Sequence, residues 1–107
     1  MYQVLIVDDE PIVKIALCSM LDWSSLGFHI CGTASNGQEA LEMAAQYQPD
    51  LILLDVVLPD TDGYELFEQL KETDNNDAAI LFLTSKDKDE GVVKGFAMGA
   101  CDYIKKP

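Results

Sequence analysis

The sequence predicts an α/β fold, one parallel sheet wound on both faces by helices, and three observations predict it. Short apolar runs alternate with longer stretches of helical periodicity along the chain, the pattern of strands joined by helical crossovers. The run Leu51-Ile52-Leu53-Leu54 shows no alternation of polar and apolar residues, which predicts burial on both faces and hence a parallel sheet. The apolar runs also end alike, in polar residues: one in Asp8-Asp9-Glu10, one in Asp55, one in Thr84-Ser85 and one in Lys105-Lys106-Pro107. Strands lying parallel bring those ends to one edge, where open α/β sheets place their ligands.

The first strand is expected over residues 2 to 7, and Pro11 suits the first turn of a helix, where its missing N–H costs nothing. Ile12, Val13, Ala16, Leu17, Met20 and Leu21 follow at helical spacing and form the expected inner face. A loop through Trp23 and Gly27 leads to a second strand near 28 to 34, which holds His29. Asn36 followed by Glu39 reads as a capping arrangement for a helix with Ala40, Leu41, Ala44 and Tyr47 inward, and Pro49 marks its end. The third strand covers 51 to 54. Asp62 and Glu65 repeat the capping pattern before Leu66, Phe67 and Leu70, a third helix. Asn75, Asn76 and Asp77 break the chain before a fourth strand at 79 to 83. A fourth helix would use Val92, Val93, Phe96, Ala97 and Ala100. It contains Gly91 and Gly95, each costing about 1 kcal/mol against Ala in a helix interior, and is expected to be the least stable. A short fifth strand is expected from Cys101 to Ile104.

A chain of 107 residues is one small domain with a single core. Seven Lys and Arg against nineteen Asp and Glu give a net charge of −12, so direct binding of nucleic acid or anionic membranes by this domain is not expected. The sequence has no apolar stretch of membrane-spanning length and no signal-peptide pattern, and the expected location is cytoplasmic. Cys18, Cys31 and Cys101 have neither metal-binding nor redox spacing and are expected as core filler in a reducing compartment. One histidine supports neither a histidine metal site nor a Ser-His-Asp triad.

Three consecutive acids at a strand end place like charges at one spot and call for a cation. Taken alone, they also fit a structural role, with Asp9 capping the first helix and Asp8 and Glu10 favouring its N-terminal dipole. Set beside Asp55, Thr84 and the terminal lysines, the inventory and its order closely resemble the receiver domain of bacterial two-component response regulators, over nearly the whole chain. Asp55-Val56-Val57-Leu58-Pro59-Asp60-Thr61-Asp62-Gly63 resembles the family's Asp-x-x-x-Pro-x-x-Asp-Gly signature, and Lys106-Pro107 its Lys-Pro pair. The resemblance implies a flavodoxin-like five-stranded sheet of order 2-1-3-4-5. It also implies Mg2+ held by Asp8, Asp9, Asp55 and the carbonyl of Val57, a hard cation suited to oxygen ligands. Asp55 would be the phospho-accepting nucleophile, and Lys106 would neutralise the phosphoryl group. Thr84 would hydrogen-bond that group, and Tyr103 would follow as the switch aromatic. The bland alternatives are ordinary strand packing for Tyr103 and a solvated basic pair for Lys105 and Lys106.

The function implied is a signalling switch rather than an enzyme. A histidine kinase donates a phosphoryl group to Asp55, and the change passes through the fourth helix and fifth strand to a covalently linked output domain. The same face is a possible homodimer contact. Leu21-Asp22-Trp23-Ser24-Ser25-Leu26-Gly27-Phe28 resembles receivers joined to AraC-type DNA-binding domains. Thr61 stands where the family commonly has methionine. The family also has a fifth helix after its Lys-Pro pair, so residues 1 to 107 are expected to be a receiver truncated before that helix and either less stable or prone to associate. Other readings remain. A phosphohydrolase of the haloacid-dehalogenase type wants an acid two residues after the nucleophile, where Val57 stands. A flavin or nucleotide binder wants a Gly/Ser/Thr-rich first loop, where three acids stand. A receiver-like interaction module that never takes a phosphate is the remaining alternative.

Overall fold

The computed structural model, which describes residues 1–72, 78–84 and 102–105, alternates strands and helices. The order is β1 (Tyr2–Val7), α1 (Pro11–Met20), β2 (Phe28–Ala34), α2 (Gly37–Tyr47), β3 (Leu51–Asp55), α3 (Gly63–Lys71), β4 (Ala79–Thr84) and β5 (Asp102–Lys105). Every strand pairing is parallel and the sheet order is β2-β1-β3-β4-β5, as expected. The expected fourth helix and the break at Asn75–Asp77 lie outside the described residues.

Side chains alternate across the sheet with the period of two that strand geometry imposes. Leu5, Val7, Ile52, Leu54, Ile80 and Phe82 meet Ala40 and Ala44 of α2 and Leu66, Phe67 and Leu70 of α3. Val4, Ile6, Leu53 and Leu83 face the opposite way, where Val13 and Leu17 of α1 cover them. Phe82 lies between two rings, with centroids 5.1 Å from Tyr64 and 5.8 Å from Phe67. Each fully buried Leu, Ile or Phe contributes about 1.5–3 kcal/mol by leaving water. The unbroken apolar β3 is central because both its faces are covered.

Both capping predictions hold. Glu39 N–H donates to Asn36 Oδ1 at 2.8 Å at the start of α2, and Glu65 N–H donates to Asp62 Oδ1 at 2.7 Å at the start of α3. Glu39 reaches back to Ser35 N–H at 2.8 Å, which completes a reciprocal cap one residue wider than the usual box. Between α1 and β2, Trp23 Nε1–H donates to the Leu17 carbonyl at 2.9 Å and its ring stands edge-on to Phe28. Asp22 takes hydrogen bonds from the Ser24 hydroxyl and Ser25 N–H, and Gly27 turns the chain at φ 86°. The Leu21–Phe28 segment thus closes the end of α1 and starts β2.

Several expectations need correction. Of the six residues expected to face inward from α1, only Val13 and Leu17 are buried; Ile12, Met20 and Leu21 are exposed, Ile12 to 81%. The helix is apolar on most of its circumference, so hydropathy does not say which of two adjacent rows meets the sheet. Cys18 is exposed on the same helix rather than in the core. Cys31 is half-buried, where a register shift in the β1–β2 pairing puts its Sγ 3.3 Å from the Val4 carbonyl. Cys101 lies outside the described residues. Tyr47 is exposed beyond Ala44, the last buried residue of α2. β3, β4 and β5 each extend one residue further than expected, to Asp55, Thr84 and Lys105. No helix among the described residues is long and apolar enough to cross a membrane.

Candidate functional site

The C-terminal edge of the sheet is built by the residues that end its strands. Asp8 follows β1 and stays in register, its N–H donating to the Ala34 carbonyl at 3.0 Å. Its side chain is fully buried, and Oδ1 accepts the Glu10 N–H at 2.9 Å, which turns the chain into α1 at Pro11. Asp55 is the last residue of β3, paired in register with Leu83 of β4 and only 3% exposed. Its Oδ1 accepts the Val57 N–H at 3.3 Å. Asp9 and Glu10 are exposed at the mouth.

One carboxylate oxygen from each of Asp8, Asp9, Glu10 and Asp55 lies within 4.8 Å of the other three. Four carboxylates at that spacing, two of them buried, repel one another, and a cation shared among them offsets the repulsion. The donors are all hard oxygen ligands, so the set fits Mg2+ or a related divalent cation. Asp9 does not cap α1. The N-cap is Glu10, and it makes no side-chain cap bond. Glu10, read from the sequence as part of the acidic run but not among the expected metal ligands, belongs to the cluster.

The loop between β3 and α3 doubles back on itself. Val57 bridges Asp62 in antiparallel fashion, Leu58 N–H donates to the Thr61 carbonyl at 3.2 Å, and Gly63 N–H donates to the Val56 carbonyl at 2.7 Å. A Cβ on Gly63 would stand 2.5 Å from the Asp55 carbonyl oxygen and 2.9 Å from Val56 Cα. Only glycine lets α3 start that close to the acceptor strand. Leu58 is buried, while the Val57 side chain is 72% exposed beside Asp55.

At the tip of this loop, Asp60 carries a contact that sequence reasoning missed. Its Oδ1 accepts the Gly37 N–H at 2.8 Å and its Oδ2 the Gln38 N–H at 3.1 Å, the first two amides of α2. The Gly37 N–H, with help from that of Gln38, holds the Asp60 carboxyl below the usual carboxylate range. No local pattern announces a cap supplied from another loop. Lys14 of α1 reaches the same edge, where its Nζ hydrogen-bonds Ser35 Oγ.

Of the residues expected at the site, Asp8, Asp9 and Asp55 come together, with the Val57 backbone next to them. Thr84 ends β4 opposite Lys105 of β5, and Tyr103 is paired with Phe82. Lys106 lies outside the described residues.

A family model, the response regulator receiver domain, matches residues 4–107. Among curated proteins, the chain is similar to the transcriptional regulatory protein SrrA of Staphylococcus aureus. The two are 41% identical over 105 residues, 98% of this chain and 42% of SrrA. The chain spans less than half the length of such curated relatives. Among solved structures, the REC domain of AraT, a response regulator from Geobacillus stearothermophilus, superposes with a TM-score of 0.90 at 27% identity, covering 99% of this chain and 81% of that one. The CheX-CheY-BeF3-Mg+2 complex from Borrelia burgdorferi gives a TM-score of 0.86 at 30% identity, covering 99% and 78%.

Proposed function

The chain belongs to the response regulator receiver domain family, and from that premise we propose that it is a phospho-accepting switch whose acceptor is Asp55. The observation that carries the reading is the cluster itself, with a buried strand-end carboxylate within 4.8 Å of three further acids. Asp55 Oδ attacks the phosphorus of a phosphohistidine on a partner histidine kinase. A carboxyl O–P bond forms, the donor N–P bond breaks, and the leaving imidazole takes up a proton. Asp8, Asp9, Asp55 and the Val57 carbonyl are the residues that would hold Mg2+, which supplies charge neutralisation when bound. The similarity to a CheY solved with BeF3 and Mg2+ supports that choice of ion.

Lys106 neutralises the developing phosphoryl charge and Thr84 hydrogen-bonds it. Tyr103, on the edge strand, follows Thr84 and relays the change through the fourth helix and fifth strand, a face also available to a second copy. The added negative charge and acceptor oxygens bias a two-state element. The output is a covalently linked DNA-binding domain; the name of SrrA as a transcriptional regulatory protein supports this. The domain acts in the cytoplasm as a switch, with at most slow self-dephosphorylation.

Incubation with acetyl phosphate and MgCl2, followed promptly by intact mass measurement, tests the reading. One phosphoryl group gained by wild type and not by Asp55→Ala, and only with Mg2+, is expected. No gain in a folded sample would favour an interaction module that works without phosphate.

A further inference from the structure

Beyond the acceptor and its metal ligands, we propose that Asp60 is a positioning residue for the cation site, fastening the loop that carries Val57 to the N-terminus of α2. The inference rests on the receiver reading above and deepens it.

The amides at the start of α2 have separate acceptors. Gly37 and Gln38 donate to Asp60, Glu39 donates to Asn36 Oδ1, and Ala40 donates to the Asn36 carbonyl. Asp60 therefore supplies from 22 residues away what a local cap leaves open, with its negative charge at the positive end of the helix. Asp60 sits three residues after Val57, at the outer end of a loop whose inner end is Asp55. The Val57–Asp62 bridge and the Leu58–Thr61 bond make the loop a small unit, so a grip at its tip fixes the backbone at its base. Val57 N–H in turn donates to Asp55 Oδ1. The same carboxylate is an acceptor for Val57 and a member of the acidic cluster, so tilting the loop displaces it relative to Asp8.

Gly37 is the counterpart of this grip. A Cβ there would lie 2.5 Å from Thr61 Cγ2 and 3.3 Å from Asp60 Oδ1. The lack of a side chain lets the loop tip seat on the helix end. Gly37→Ala would therefore lever the loop away with the Asp60 carboxylate intact. Adding Thr61→Ser removes the methyl that causes the closest contact and keeps the hydroxyl that donates to Glu65 Oε2.

The test is a MgCl2 titration followed by the NMR shift of the Val57 and Asp9 amides, run beside phosphorylation by acetyl phosphate. Outer-shell partners of metal ligands are commonly worth at least about tenfold in metal affinity, so roughly tenfold weaker Mg2+ binding is expected for Asp60→Ala and for Gly37→Ala. Asp60→Asn, which keeps one acceptor oxygen, should fall between Asp60→Ala and wild type. Gly37→Ala/Thr61→Ser should recover most of the affinity. Unfolding by urea establishes that each variant is folded. Unchanged Mg2+ affinity in folded Asp60→Ala, or failure of Thr61→Ser to restore Gly37→Ala, would overturn the proposal. Absence of Mg2+ binding and phosphorylation in wild type would instead remove the receiver reading on which it rests.

Discussion

Two helices begin within reach of the same sheet edge and treat their N-terminal carboxylates in opposite ways. α2 is closed by acceptors: Asn36 takes one amide and Asp60 takes two, so the acid is spent on the backbone. α1 has no side-chain cap, and the acids in front of it crowd towards Asp55 instead. The Asp60 carboxylate is surrounded by N–H donors, while those at the start of α1 have one another as close neighbours, the arrangement a divalent cation bridges. Composition alone does not separate these roles, since both helix starts carry acids.

The largest effect should come from removing charge at the crowded end. Asp8→Asn keeps an oxygen for the Glu10 N–H but removes one of four like charges within 4.8 Å. Urea unfolding without divalent cations should show a gain of about 1–3 kcal/mol, and Mg2+ affinity should fall by at least about tenfold. Wild type should be stabilised by MgCl2 and the variant much less, because a ligand stabilises only the state that binds it. If the variant were less stable without metal, the acids would be compensated within the fold as they are at α2.

Next is the start of α3, where a backbone approach rather than a charge sets the geometry. Gly63→Ala places a methyl against the Asp55 carbonyl and should cost about 1–3 kcal/mol in denaturant unfolding. It should also shift the Val57 amide resonance.

At the closed end, Asn36→Ala should lose about 1 kcal/mol through its cap and leave Mg2+ affinity unchanged. A change in Mg2+ binding there would mean that any loosening of α2, and not the Asp60 contact in particular, reaches the site.

The smallest effect is in pH dependence. The Gly37 N–H chiefly, with the Gln38 N–H, lowers the folded-state pKa of Asp60. A lowered folded pKa gives stability that is present above the unfolded value and lost as pH falls through the folded one. The difference between wild type and Asp60→Asn in urea should thus be constant near neutrality and fade in the acid range below the ordinary carboxylate value. A difference growing towards acid would reverse the sign and disprove the charged contact.

Much of the fold was legible because it follows from local rules. Asn36 and Asp62 announced their helices through side chains that reach amides three residues on, and Leu51–Leu54 announced a central strand by lacking a polar face. α1 was misread in part because Ile12 and Ile15 are as apolar as Val13 and Leu17, and only docking chooses between the rows. Asp8, Asp9 and Asp55 could be named from strand ends and motif spacing, and Glu10 as their neighbour in the run of acids, while the reach of Asp60 to α2 could not.

By itself the sequence determined which segments are strands and helices, the parallel character of the sheet and the chemistry gathered at its edge. Periodicity, capping and the placement of polar residues at strand ends act over a few residues, and a reader needs no coordinates to apply them. The tertiary structure alone decided which row of α1 meets the sheet, that Asp8 and Asp55 are buried together while Asp9 and Glu10 stand at the mouth, and that Asp60 serves a helix 22 residues earlier. Those are distances between segments remote in sequence, and they come into being only when the sheet order brings β1, β3 and the start of α2 side by side.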